Sequence, residues 1–331
     1  MNNLENLGKF KVVSQQVTDF FSVMRGDDLI FMKLSRLLTR TFLIFLMLLV
    51  LSGCRGKFIV LDPKGPVGEE EKHLILLTTL LIAIIVIPVI ALLIYIVYRY
   101  RDTPRNTARY RPKWGDNKYL EIIWWGIPIL ITMFMAYFTA LTIFSLVKPP
   151  TTEVKPITIQ VTSLNWKWLF QYPEQHISTV NYVNIPAGKP VQFILTSDAP
   201  MNSFWVPQLG GQEYTMPGMA MRLWLQANET GKYFGTGANF TGEGFAHMRF
   251  DVIAKTEADF NRWVNNVKTT AKPMDMAIYN KLKTPGVTTQ QTYSSYPARI
   301  FERTLKKNGG HYLERVPEDN SFDSTETEKT K

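Results

Sequence analysis

One thiol, at Cys54, is all the cysteine this chain has. No disulfide can form within it, so any exported part must hold together by its core alone. A copper, zinc or iron–sulfur centre built on thiolates is excluded at every other position. Histidine is almost as scarce. His73, His176, His247 and His311 lie far apart in sequence and show no ligand spacing. Acidic residues are outnumbered, 28 Asp and Glu against 37 Lys and Arg, a net charge of +9. Such a charge fits nucleic acid or an anionic membrane. Here the basic residues crowd between apolar blocks, so the expected partner is membrane lipid and not nucleic acid. Beyond Lys148 there is no further apolar run long enough to cross a bilayer.

Three apolar blocks precede that point. The first, residues 41–51, follows Met32-Lys33-Leu34-Ser35-Arg36 and closes on Leu51-Ser52-Gly53-Cys54. A basic stretch, a short apolar run and small residues before a cysteine read as a secretory lipoprotein signal, with lipidation at Cys54. The run is too short to span, which takes about 20 residues; a short uncleaved anchor is the alternative. Residues 1–53 are assigned to an overhang and signal. Either Met32 is the true start, or the first 31 residues are a cytoplasmic overhang removed with the signal. Residues 54–73 are expected outside the membrane.

The second block, 74–98, is uncharged and interrupted only by Pro88, which a membrane helix tolerates. The third, 119–147, is also long enough to cross. Between them, residues 99–118 carry Arg99, Arg101, Arg105, Arg109, Arg111, Lys113 and Lys118 against Asp102 and Asp116. Short basic loops stay cytoplasmic. The expectation is a transmembrane hairpin over 74–147, turned inside with both ends outside, on the same face as a lipidated Cys54. Trp114, Trp124 and Trp125 fall near the inner interface.

After the linker at 148–152 the pattern becomes short alternating strands. Ile157, Ile159 and Val161 alternate with polar residues, as do Val191, Phe193 and Leu195, and then Met221, Leu223 and Leu225. Further strands are expected at 166–172, 180–185, 203–206 and 248–254. Together they predict an external all-β, antiparallel Greek-key sandwich over 151–254. Residues 255–315 read as a helical extension, with Phe260, Trp263 and Val267 as an apolar stripe. Residues 316–331 are polar and charged, with little to bury, and are expected to be disordered.

Four motifs then give a resemblance: Leu120-Glu121-Ile122-Ile123-Trp124-Trp125-Gly126-Ile127-Pro128; Asn165-Trp166-Lys167-Trp168-Leu169-Phe170-Gln171-Tyr172; residues 203–212, opening Ser203-Phe204-Trp205-Val206-Pro207; and residues 231–250, containing Asn239-Phe240-Thr241-Gly242. With a two-helix hairpin before a sandwich, these are similar to subunit II of the haem–copper respiratory oxidases, over residues 54–254, and more to the quinol-oxidising than to the cytochrome c-oxidising branch.

The resemblance implies a cupredoxin-like fold for the sandwich. In the cytochrome c branch that fold carries the two-copper centre CuA. Its ligands are a His before the Trp-Val-Pro run, then Cys-x-x-x-Cys-x-x-x-His-x-x-Met. Ending this pattern on Met248 places Asn202 and Phe245 at the histidines, Gly237 and Thr241 at the cysteines, and Asn239 at the residue that lends its carbonyl. Only Met248 is kept. The resemblance therefore implies a proton-pumping oxidase subunit with no cofactor of its own and no catalytic residue. Haems and copper reside in subunit I, and menaquinol or ubiquinol is the electron donor. Subunits I, III and IV are the implied partners. Glu121 is placed at the mouth of a proton pathway into subunit I; the plainer reading is an interfacial acid marking a helix start. Trp166 and Trp168 are expected to pack against subunit I. His247 reads as solvated or structurally bonded, and the methionines at 216–221 as packing residues. Two alternatives remain: a cytochrome c oxidase subunit II that admits electrons, and a stand-alone lipoprotein with a copper-free cupredoxin fold.

Overall fold

The computed structural model describes residues 41–42, 47, 58–104, 106–108, 115, 117–151 and 154–310. Cys54, Met32, Trp114 and the tail at 316–331 lie outside the described residues. The chain divides into two units, Met1–Phe58 and Ile59–Lys331. Of the first, Thr41, Phe42 and Met47 are helical.

Two long apolar helices open the second unit: α1, Pro66–Arg99, and α2, Lys118–Leu146. Both are long and apolar enough to cross a membrane, and their apolar windows are unburied within the chain. A helix apolar on all sides and left uncovered needs lipid or other helices around it. Asn117 caps α2: its Oδ1 accepts from the amides of Tyr119 at 3.1 Å and Leu120 at 3.2 Å.

Helix α1 begins eight residues before the uncharged block expected from sequence at 74. Pro66 sits in its first turn with Glu69, a favourable start. That turn is also docked on the sandwich. The Lys64 amide donates to the Gln208 carbonyl at 2.7 Å, Gly68 to Leu209 at 3.1 Å, and Asn228 to Lys64 at 2.8 Å. Tertiary contact, which hydropathy does not report, sets the boundary.

Among the described residues, eleven strands follow: β1 Ile157–Leu164, β2 Lys167–Tyr172, β3 Ile177–Val180, β4 Tyr182–Pro186, β5 Val191–Ser197, β6 Asn202–Trp205, β7 Glu213–Thr215, β8 Met221–Leu225, β9 Gly231–Gly237, β10 Arg249–Lys255 and β11 Gln291–Tyr293. They form a six-stranded sheet, β11-β3-β2-β1-β5-β8, and a five-stranded sheet, β4-β10-β9-β6-β7. The sheets are mixed and not purely antiparallel: β1 runs parallel to β5, and β4 parallel to β10. The single strand expected at 180–185 is two strands in different sheets. The break is Asn181, at φ 60°, a left-handed conformation that asparagine adopts more readily than most residues. Its side chain accepts from the Trp168 amide at 2.9 Å and donates to the Thr288 carbonyl at 2.8 Å, so the corner is pinned from both sides.

Alternation along the strands delivers an aromatic core. Phe204 stacks on Phe250 at 4.8 Å and meets Phe193 at 5.2 Å and Trp168 at 5.4 Å.

Beyond β10 come α3 Glu257–Thr270, α4 Met276–Lys283 and α5 Ile300–Lys307. Thr256 caps α3, whose buried residues are Phe260, Val264 and Val267, with Trp263 only partly covered. A second apolar cluster joins Leu164, Leu169 and Val180 of the sheet to Met274, Tyr279, Leu282 and Ile300. The extension is thus not wholly helical. Strand β11 pairs with β3 through Tyr293 and Ser178 and covers the sheet edge.

Candidate functional site

The positions compared with copper ligands converge at one end of the sandwich. Strand β6 brings Asn202, β9 ends on Gly237, and a 3₁₀ turn at Phe245–His247 delivers Met248. Asn202 and Met248 are each 1% exposed. The Asn202 amide donates to the Met248 sulfur at 2.9 Å. Its Oδ1 accepts from the Ser203 amide at 2.7 Å and more weakly from Asn239 at 3.4 Å. A Cβ on Gly237 would lie 2.9 Å from that same oxygen, so the asparagine occupies the space a side chain there would need. The Gly237 amide donates to the Met248 carbonyl at 3.0 Å.

The rim is aromatic. Trp166 sits at φ 61°, an uncommon conformation for a bulky residue. Its indole N–H donates to the Thr241 carbonyl at 3.0 Å. A Cβ on Gly244 would come within 2.2 Å of the ring, so glycine is what admits it. Phe240 and Phe245 meet edge to face at 5.6 Å, and Phe240 is 81% exposed. The Thr241 hydroxyl is buried without a partner. The donors assembled here are an amide, a hydroxyl and a thioether already engaged by that amide. No thiolate or imidazole is among them.

His247 is exposed at the end of that turn. Met221 packs against the core, while Met219 is exposed. Among the described residues, no group of three or more His, Cys, Asp or Glu converges as a metal site. Trp168 is fully buried in the core, so it cannot pack against another subunit as expected; its place on the inward face of β2 decides this. Trp166, at the rim, is only partly buried.

Known proteins resemble the chain in both of its parts. Residues 53–143 match the family "Cytochrome C oxidase subunit II, transmembrane domain", and residues 174–255 match "Cytochrome C oxidase subunit II, periplasmic domain". The quinol oxidase subunit 2 of Bacillus cereus is 46% identical over 80% of this chain and 90% of its own length. The chain belongs to the quinol oxidase subunit 2 family. The cytochrome bo(3) ubiquinol oxidase subunit 2 of Pseudomonas putida is likewise 46% identical, over 73% of this chain and 76% of its own. Among solved structures, the periplasmic domain of subunit II of cytochrome oxidase from Bradyrhizobium japonicum is 21% identical, with a TM-score of 0.33, covering 33% of this chain and 91% of that one. This member of the family is thus a membrane protein with two transmembrane helices and an external cupredoxin-like sandwich.

Glu121 lies in the first turn of α2, exposed at the end of the span that adjoins the basic loop. Its amide donates to the Asn117 carbonyl at 3.0 Å. The cup formed by Asn202, Gly237 and Met248 under the aromatic rim lies in the sandwich, and Glu121 lies on α2. Sequence reading missed Glu71, Lys167 and Asp198. The ammonium of buried Lys167 donates to the Thr284 carbonyl at 2.7 Å, just past α4, and burial pushes its pKa down. The Trp-Lys-Trp alternation marks Lys167 as facing away from the aromatic core, but not what covers it.

Proposed function

We propose that this second subunit of a quinol oxidase holds no electron-entry metal, and that quinol bound in the membrane by the rest of the complex supplies the electrons that reduce oxygen to water. The observation that carries this reading is the Asn202–Met248 hydrogen bond. Soft thiolates and imidazoles are what a two-copper centre demands. Here an amide saturates the remaining thioether, and glycine stands at a position where a bridging ligand is required. The residues present do not fit the centre. Electron entry from cytochrome c through this domain has no carrier, and the sandwich serves as a structural cap over subunit I, with III and IV completing the complex.

The test is oxygen uptake by the purified complex. Quinol should drive it and reduced cytochrome c should not. Metal analysis should find only the copper expected for subunit I. Cytochrome c-driven uptake, together with additional copper in this chain, would overturn the reading.

We further assign Cys54 as the lipid-bearing residue, with the sandwich on the outer face of a bacterial cell membrane. The basic loop and the lipoprotein signal both support this orientation. Glu121 is then cytoplasmic and stands where protons enter. A carboxylate at membrane depth is costly and points to function. Replacing Glu121 with alanine should slow quinol-driven turnover and proton uptake together, and Glu121→Asp should restore part of both. Unchanged rates would leave it as an interfacial acid only.

A further inference from the structure

The sandwich is joined covalently to α2 through residues 147–156, but its contacts grip the other span. Val67 and Glu71 are one helical turn apart on α1, hence on one face. Both meet the Gly210-Gly211 pair that follows β6. A Cβ on Gly210 would lie 2.8 Å from a Val67 methyl, and one on Gly211 would lie 2.6 Å from a Glu71 carboxylate oxygen. That oxygen accepts from the Gly211 amide at 2.7 Å. Above it run the backbone bonds of Lys64 and Gly68 to Gln208 and Leu209. By contrast, the amides of Val147 and Lys148, at the end of α2, turn back to Ile143 and Ser145 of their own helix.

We propose that Glu71 is a positioning residue, closing a latch on Gly210-Gly211 that locks the outer sandwich to the first membrane span as one rigid body. A carboxylate accepting a backbone amide makes a strong, directional bond, and the paired glycines leave room for helix and loop to touch. Glu71 lies only three residues before the first apolar residue of the span, so the latch fixes both the height and the rotation of the sandwich over the bilayer. Among the described residues, no hydrogen bond of this kind ties the Glu121-bearing helix to the sandwich. A head mounted this way is a fixed cap and not a tethered shuttle. The inference stands on α1 and the sandwich alone and does not depend on which donor feeds the complex.

The test is a distance measurement between spin labels on thiols introduced at two exposed positions, Glu70 on α1 and Glu174 between β2 and β3 of the sandwich, in the purified complex and in the full chain alone, with Cys54→Ser as the labelling control. The parent and Glu71→Gln, which keeps an acceptor oxygen, should give one narrow distribution. Glu71→Ala should broaden it. Gly211→Ala should do the same, because its methyl displaces the end of a flexible side chain and leaves the backbone undisturbed. Narrow distributions in both alanine variants, or a Gln variant as broad as the alanine one, would overturn the latch. Circular dichroism of each variant separates loosening from unfolding.

Discussion

Cutting Phe204 back to alanine is expected to destabilise the sandwich by about 3–5 kcal/mol, the usual range for a large aromatic removed from a packed core. The side chain is fully buried and touches Phe193, Phe250, Trp168 and Phe170. Those rings come from both sheets, so the cavity would open where the two layers meet. Phe204 also lies two residues from Asn202 on β6, and the loss should reach the cup. Denaturant unfolding of the outer domain, followed by tryptophan fluorescence, would measure the loss. Phe204→Leu should recover much of it. A loss of under about 1 kcal/mol would mean the layers collapse freely, contrary to the close packing of such interiors.

The second large effect concerns Asp198, a carboxylate 3% exposed in the turn after β5. It accepts from Lys283 of α4 at 2.8 Å, from Lys307 of α5 at 2.7 Å, and from the Tyr279 hydroxyl at 2.9 Å. Three donors from two helices of the C-terminal extension, α4 and α5, therefore converge on one side chain. Burial alone would push this carboxyl up, but the hydrogen bonds from Lys283, Lys307 and Tyr279 outweigh it and hold it below the usual carboxylate range. A lowered folded-state value stabilises the fold above the unfolded pKa. That stabilisation is lost as pH falls through the folded value, so the extension should loosen below about pH 4. Asp198→Asn should cost about 1–3 kcal/mol at neutral pH, with the lysines free to turn to water. It should also abolish the acid-dependent step. Hydrogen exchange over α4 and α5 reads both effects; an acid step that survives in Asp198→Asn would assign it to another carboxylate.

How far these features could be read from sequence depended on the range of the interactions behind them. The spans and the core strands announce themselves through hydropathy and alternation, and the aromatic strand at Trp168, Phe170 and Tyr172 is one such case. The fixed spacing of a metal motif singled out Asn202, Gly237 and Met248 for comparison with copper ligands, and these three residues are neighbours in space. What escaped was set by partners distant along the chain. The early start of α1 depends on Gln208 and Leu209. The split at Asn181 depends on one left-handed residue in an otherwise continuous strand pattern. Strand β11 has no alternation to display and exists because β3 offers it an edge. Asp198 reads as a turn residue until Lys283 and Lys307 arrive.

The strand pairing has a consequence for how the protein is made. Strand β1 lies beside β5, β4 beside β10, and β3 waits for β11, near the far end of the described chain. Such separated pairings delay folding, because the intervening chain must be in place first. A domain delivered across a membrane in an extended form benefits from that delay. The β4–β10 pairing waits for residues up to Lys255, and the β3 edge stays open until residues around Tyr293 have passed through. Until then β3 is an uncovered edge on the far side, open to pairing with other chains.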